Sequence, residues 1–176
     1  DDDAKKELEY DIKEMTAMLN SYVSFVRGET PETIENIQLN NLIKNICQNI
    51  DSEKYAITES YSRKIDTSGR PLQIKRAIQN ILDNARRYAS KIDIDVFANN
   101  DECFISISDN GPGIPEKNYE DVFKPFFTLD PSRNKLKGES GLGMTISRDI
   151  IRSHGGDIKL SPSSIGGLKT VINLPL

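Results

Sequence analysis

The sequence predicts an α+β protein, a two-layer sandwich with helices on one face of a mixed sheet. Apolar residues recur at helical spacing in two stretches: Ile74, Ala77, Ile78, Ile81 and Ala85, then Leu142, Ile146 and Ile150. Two pairs of short strand-like segments accompany them. Residues 92–96 and 103–109 are joined by the turn formers Asn99, Asn100 and Asp101, and residues 158–160 and 170–174 close the chain. Helices and antiparallel hairpins are thus mixed along one chain.

Composition sets the limits. A length of 176 residues fits one domain with a short appendage, and 36% apolar residues suffice for a core. No apolar run reaches the roughly 18–20 residues of a membrane span, and no secretory signal opens the chain. The formal net charge of -4, without a basic cluster, argues against nucleic acid as a partner. Cys47 and Cys103 do not form a CxxC pair, which fits a reducing cytosol. A single His, His154, excludes a zinc cluster and leaves no His-centred catalysis unless His154 itself is the base.

Along the chain, residues 1–27 read as a separate unit. Leu8, Ile12, Met15, Leu19, Tyr22 and Val26 alternate spacings of four and three, the seam of a bundle or coiled-coil helix. That stripe is narrower than a helix lying on its own globular domain needs. Gly28-Glu29-Thr30-Pro31 stops it, so residues 28–36 read as linker and residues 37–176 as the main domain. Leu39, Ile43, Ile46 and Ile50 predict a helix; Tyr55, Ile57, Glu59 and Tyr61 alternate as a strand. Pro71 suits the first turn of the helix that carries Ile74. Residues 110–141 read as a long polar loop interrupted by Val122-Phe123 and Phe126-Phe127, and Gly155-Gly156 ends the last helix.

Three features carry chemistry, and each alone reads two ways. Asn80 and Asn84, four apart, share a helix face. Their carboxamide oxygens are hard ligands suited to Mg²⁺, or simply a solvated polar stripe. Asp109, ahead of Asn110-Gly111-Pro112-Gly113-Ile114, can accept a hydrogen bond from an exocyclic amine or cap its own turn. Gly138-Glu139-Ser140-Gly141-Leu142-Gly143-Met144 runs into a helix N-terminus, where N–H groups and the dipole favour phosphate. It is not a Walker A loop, because Met144 holds the Lys position. Nor is it a Rossmann fingerprint.

In this order the three resemble the N, G1 and G2 boxes of the ATP-binding domain of bacterial sensor histidine kinases. Val122-Phe123-Lys124-Pro125-Phe126-Phe127 is similar to the F box, and Ile150-Ile151-Arg152-Ser153-His154-Gly155-Gly156 to the corner after G2. Gly166-Gly167-Leu168-Lys169-Thr170 resembles the last Gly motif. Gln73-Ile74-Lys75-Arg76-Ala77 and Ala85-Arg86-Arg87-Tyr88 are similar to the EnvZ-like osmosensing type.

The resemblance covers about residues 37–176 and implies the fold shared with Hsp90-type, gyrase-type and MutL-type ATPases. It implies ATP and Mg²⁺ as cofactors. Asn80 and Asn84 would hold metal and phosphate, Arg87 a phosphate, and Tyr88 would pack by adenine. Asp109 would take the adenine amine, with Gly111 and Gly113 letting the base approach. Gly141, Leu142 and Gly143 would give N–H groups to the phosphates. Ile114, Phe123, Ser140 and Thr170 would line the same site. Residues 128–140 would be a mobile lid, with Arg133, Lys135 and Lys137 as its γ-phosphate cations.

Two departures are visible. Glu139 stands where the G2 loop carries its first Gly, with Gly138 one place earlier. The family's phosphoacceptor His is absent, because His154 sits where the family has a structural His. Residues 1–27 resemble only the second helix of the dimerisation hairpin, so the chain reads as a fragment. The expected function is transfer of the ATP γ-phosphoryl group to a His outside this chain, for relay to a response-regulator Asp. Expected partners are a second copy, through the helix hairpin, and a receiver domain. The expected location is a cytoplasmic domain of a bacterial inner-membrane protein. Competing readings are a hydrolysing ATPase, an anti-sigma-type Ser kinase and a degenerate nucleotide-binding module. The hydrolytic branch carries a Glu four residues before the metal-binding Asn, and here that position is Asn80.

Overall fold

The computed structural model describes residue 12 and residues 32–50, 54–129 and 141–176. In chain order its elements are β1 (Glu35–Gln38), α1 (Leu39–Cys47), β2 (Ala56–Tyr61), β3 (Asp66–Gly69) and α2 (Pro71–Tyr88). Then come β4 (Lys91–Ala98), β5 (Glu102–Asp109), α3 (Gly143–Ser153), β6 (Asp157–Pro162) and β7 (Leu168–Pro175).

Period-two patterning builds the sheet. Ile92, Ile94 and Val96 of β4 are buried, and so are Cys103, Ile105 and Ile107 of β5. Antiparallel pairing sets Ile94 opposite Ile107 and Val96 opposite Ile105. Continued outward, the order is β2-β4-β5-β7-β6, with β2 parallel to β4 and the other pairs antiparallel. The opposite face stays open: Phe97 is 40% exposed and stacks on its cross-strand partner Phe104, centroids 5.1 Å apart.

The helices cover the buried face. Ile74, Ala77, Ile78, Ile81, Leu82 and Ala85 of α2 are buried, as are Ile146 and Ile151 of α3 and Leu39, Ile43 and Ile46 of α1. Pro71 opens α2 in the position that needs no N–H, and Glu32 accepts the free N–H groups of Leu72 (2.5 Å) and Gln73 (3.2 Å). Ser147 Oγ lies 3.0 Å from Ala77 O and 2.9 Å from Gly143 O, a polar tie where α2 and α3 cross. The expected two-layer sandwich with a mixed sheet is therefore the fold.

The elements differ from expectation where sequence signals are weakest. β1 and β3 form a separate antiparallel ribbon. β3 reads Asp-Thr-Ser-Gly and shows no apolar alternation, and β1 takes in Glu35 and Asn36 of the stretch read as linker. What holds β3 is tertiary: Thr67 is buried and donates to Pro175 O at 2.6 Å. α1 stops at Cys47, short of Ile50, and β6 and β7 run beyond 158–160 and 170–174 at both ends. Within residues 110–129, 3₁₀ turns at Glu116–Asn118 and Asp121–Phe123 put Val122 and Phe123 into the core. The heptad seam of residues 1–27 lies outside the described residues except Ile12, which is helical and 54% exposed.

One ionic cluster ties the 3₁₀ segment to α3 and β6. Arg148 reaches Glu120 at 2.7 Å and Asp157 at 3.1 Å, and lies 4.3 Å over the Phe123 ring. Arg152 adds a second contact to Asp157 at 3.1 Å. Burial alone would raise the Asp157 pKa. The Arg152 hydrogen bond, the Ile158 N–H and Arg148 outweigh it and hold the group at about 2. A carboxyl depressed in the folded state stabilises the fold above its unfolded pKa, roughly 4, and loses that contribution as pH falls toward about 2. Thermal melts of the parent and Asp157→Asn should therefore differ most at neutral pH and converge between pH 4 and 2. A gap that stays constant through that window would contradict the assignment.

Candidate functional site

The site forms at the end of the sheet where β5 stops, between the C-terminal half of α2 and the start of α3. Helical spacing puts Asn80 and Asn84 on one side of α2, both half-buried. Asn80 faces α3: its Nδ2 donates to Gly143 O at 3.4 Å, and a Cβ on Gly143 would stand 3.8 Å from Asn80 Cβ. Two motifs 63 residues apart thus meet across the helix crossing.

Gly141 shapes the entry to α3. Its φ is +63°, and a Cβ there would lie 2.8 Å from Phe126 Cα. The two strands of chain are joined by Phe126 N–H donating to Gly141 O at 3.1 Å. Phe126 itself has φ 62° and is 54% exposed, a strained conformation for a bulky residue held by this contact. Leu142 is buried and Gly143 half-buried as the helix begins.

At the other end, Asp109 terminates the central strand and is only 7% exposed. Its Oδ1 accepts the N–H of Gly111 (2.8 Å) and of Leu168 (3.3 Å), and its main-chain oxygen accepts that of Gly167 (3.0 Å). The turn-capping role is therefore real. It uses one carboxylate oxygen, and among the described residues Oδ2 makes no hydrogen bond. Gly113 adopts φ +69° against Gly167, and Gly111 packs on the Tyr88 carbonyl. Asn110 adds a second lock that the sequence did not announce: its Oδ1 accepts Ser90 N–H (3.0 Å) and Lys91 N–H (2.9 Å).

The other expected residues fall as follows. Tyr88 is 40% exposed and Arg87 exposed at the end of α2, while Ile114 is half-buried beside the core. Thr170 is buried on β7 opposite Ile107. Phe123 is buried beneath Arg148 as part of the core. Arg133, Lys135, Lys137 and Ser140 lie outside the described residues. A cavity of about 530 Å³ adjoins the site, lined by Lys54, Tyr55, Arg86, Arg87, Tyr88, Ala89, Ser90 and Asn110. It is basic, and it takes in neither Asn80 nor Asp109.

His154 is engaged in the fold. Its Nδ1 lies 2.7 Å from Ile150 O, which can only accept, and its Nε2 lies 3.1 Å from Arg70 N–H, which can only donate. The partners fix the neutral Nδ1–H tautomer and use both ring nitrogens.

Comparison with known proteins points one way. Residues 69–176 match the family model described as histidine kinase-, DNA gyrase B-, and HSP90-like ATPase. The chain is 29% identical to the sensor histidine kinase CpxA of Escherichia coli over 177 residues, covering 96% of this chain and 39% of that protein. It is 30% identical to the sensor histidine kinase GtrS of Pseudomonas aeruginosa, covering 94% of this chain and 34% of that one. The chain thus spans under two fifths of the length of these relatives, all of it in one part. Among solved structures, the catalytic domain of histidine kinase ThkA superposes with a TM-score of 0.70 at 25% identity, over 81% of this chain and 97% of that one. The mycobacterial sensor histidine kinase MprB gives 0.71 at 22% identity, with the same two coverages. With the family model matching residues 69–176, more than half of the chain, the chain belongs to the histidine kinase-, DNA gyrase B-, and HSP90-like ATPase family.

Proposed function

We propose that the chain is the ATP-binding catalytic core of a sensor histidine kinase. It binds Mg-ATP and passes the γ-phosphoryl group to a His on a dimerisation hairpin, for relay to an Asp of a response-regulator receiver domain. The observation that carries this reading is the contact of Asn80 with the Gly143 main chain across the two helices, together with the buried carboxylate of Asp109 at the end of β5. Dimerisation through residues 1–27 belongs to the same proposal, as does anchorage of the full-length protein in a bacterial inner membrane. No described helix is long and apolar enough to cross a membrane.

The residues present fit the cofactors. Asn80 and Asn84 offer two neutral hard oxygens, too few for Mg²⁺ alone and enough for an ion that shares its shell with water and phosphate. Mg²⁺, when bound, would offset charge on the phosphates. The N–H groups of Gly141, Leu142 and Gly143 stand at the start of α3, where the helix dipole favours anions. Arg87 would pair a phosphate, and Arg133, Lys135 and Lys137 would serve as lid cations, with Ser140 beside them. Asp109 Oδ2 would accept the base amine, and Tyr88, Gly111, Gly113, Ile114, Phe123 and Thr170 would enclose the base.

Asn84→Ala and Asp109→Ala should each weaken ATP binding by about tenfold or more, as loss of one charge-assisted or metal contact implies. Titration calorimetry reads this directly, and parent-like binding by both variants would overturn the site. Hydrolysis should be slow, because a carboxamide at position 80 cannot take a proton from water. General-base assistance is typically worth 10²–10⁴-fold. Asn80→Glu should raise turnover. Supplied with a dimeric hairpin bearing a phosphoacceptor His, the chain should place an acid-labile label on that His. Brisk ATP turnover by the parent chain would favour the hydrolytic branch of the family instead.

A further inference from the structure

Three polar contacts stitch α2 to α3, and their order shows that the helices run antiparallel. Asn80 meets Gly143 at 3.4 Å, the Ala77 carbonyl meets Ser147 at 3.0 Å, and Arg70 N–H meets His154 at 3.1 Å. The first contact lies inside the candidate site. The last lies at the far end, where Arg70 precedes the first turn of α2 and His154 follows the last turn of α3. His154 Nε2 is also 3.3 Å from Arg70 Nε, and Arg70 Nη2 donates to Ser153 Oγ at 2.8 Å.

The imidazole ring is seated against bare backbone. A Cβ on Gly69, at the end of β3, would stand 3.0 Å from His154 Cδ2 and 2.6 Å from Ile74 Cδ1. Among the described residues, the one charged group in contact with the ring is the Arg70 guanidinium. Gly69 from β3, and Ile150 and Ser153 from α3, face it with uncharged atoms. Arg152, two residues before it, is engaged by Asp157, and Glu32, at the head of α2, by the Leu72 and Gln73 N–H groups.

Nε2 is therefore an acceptor by necessity, because a main-chain N–H and a guanidinium can only donate. A proton on Nε2 would set a donor against two donors, one of them cationic, and the tie would open. Imidazole is the side chain whose ordinary charge change falls between about pH 5 and 8. We propose that His154 is a positioning residue of the nucleotide site, and that its proton state sets how α3 lies against α2. With the ring neutral, three ties hold Gly143 opposite Asn80, and the first N–H groups of α3 face the phosphates. With the ring protonated, the far tie is lost and the helix pair slackens. Protonation and triphosphate binding thus oppose one another: affinity is full at high pH and falls as the ring takes up its proton. The coupling is reciprocal, so bound triphosphate holds the ring neutral. Adenosine, which would reach only the β5 end of the site, escapes it. The inference rests on the reading of this pocket as a nucleotide site.

The experiment has two arms. In the first, NMR follows the His154 ring protons and the Gly143 backbone amide in the nucleotide-free chain from about pH 8 to about pH 5. The chain has 1 His, so the ring signals are unambiguous. Gly143 stands at the other end of α3, about 16 Å away at the helical rise, too far for the ring charge itself to shift it much. The two should titrate with one midpoint. The second arm measures dissociation constants for Mg-ATP and adenosine at both ends of that range, in the parent and in His154→Gln. Gln offers an oxygen acceptor and takes up no proton there. Acidification should weaken Mg-ATP binding to the parent by about fivefold or more beyond its effect on His154→Gln, in which only the nucleotide and the rest of the chain titrate. Adenosine should show no such excess. A ring that titrates while Gly143 stays still, equal pH dependence in parent and variant, or an equal excess for adenosine would overturn the proposal and leave the nucleotide site standing. So would a ring that stays neutral until the whole chain unfolds. If His154→Gln does not fold, the first arm decides alone. A parent chain that binds neither ligand at the upper pH would overturn the site reading instead, and the first arm would still decide the helix coupling.

Discussion

Asp109 ties the turn after β5 to the loop that leads into β7. A carboxylate only 7% exposed must have donors, and it finds them in the turn after β5 and in the loop before β7. Its neighbour Asn110 collects the N–H groups that lead into β4. Two consecutive residues at the end of the central strand thereby fix three connections of the sheet edge. Because β5 is flanked by β4 and β7, its end is among the least deformable places in the sheet. A group held there keeps its orientation without help from a ligand.

The opposite half of the site depends on packing. α2 and α3 are pressed together over the sheet by buried Ile78, Ile81, Ile146 and Ile151, and the Ser147 hydroxyl ties their backbones. That crossing brings Asn80 to Gly143. The chemistry follows from which atoms are offered. Carboxamides at positions 80 and 84 can coordinate and orient but cannot act as bases. Loop N–H groups can stabilise charge but cannot transfer protons. In the proposed reading such a site would position a phosphoryl group and leave activation of the acceptor to another element.

Much of this was legible in the residues. The apolar faces of α2 and α3 and the alternation in β4 and β5 are strong local signals, and the structure follows them. The three motifs were readable because their residue types are informative even without contacts. β3 was not, since Asp-Thr-Ser-Gly carries no pattern and is held by Thr67 bonding to the far end of β7, 108 residues away. Nor was the choice between the two roles of Asp109, because it needs to be known which oxygen is occupied. The Arg148 cluster escaped for a similar reason: Glu120, Phe123, Arg148 and Asp157 have no spacing that announces them. The one available hint was an Arg on the otherwise amphipathic α3 facing a short acidic, aromatic segment.

The most direct test of the account maps backbone amide shifts in ¹⁵N-labelled chain while Mg-ATP is added. Gly111, Gly113, Leu168, Gly141 and Gly143 should move most, and together, along one binding curve. Shifts centred instead on Lys54, Tyr55 and Ser90, with Gly111, Gly143 and Leu168 unmoved, would put the nucleotide in the neighbouring basic cavity and contradict the site described here.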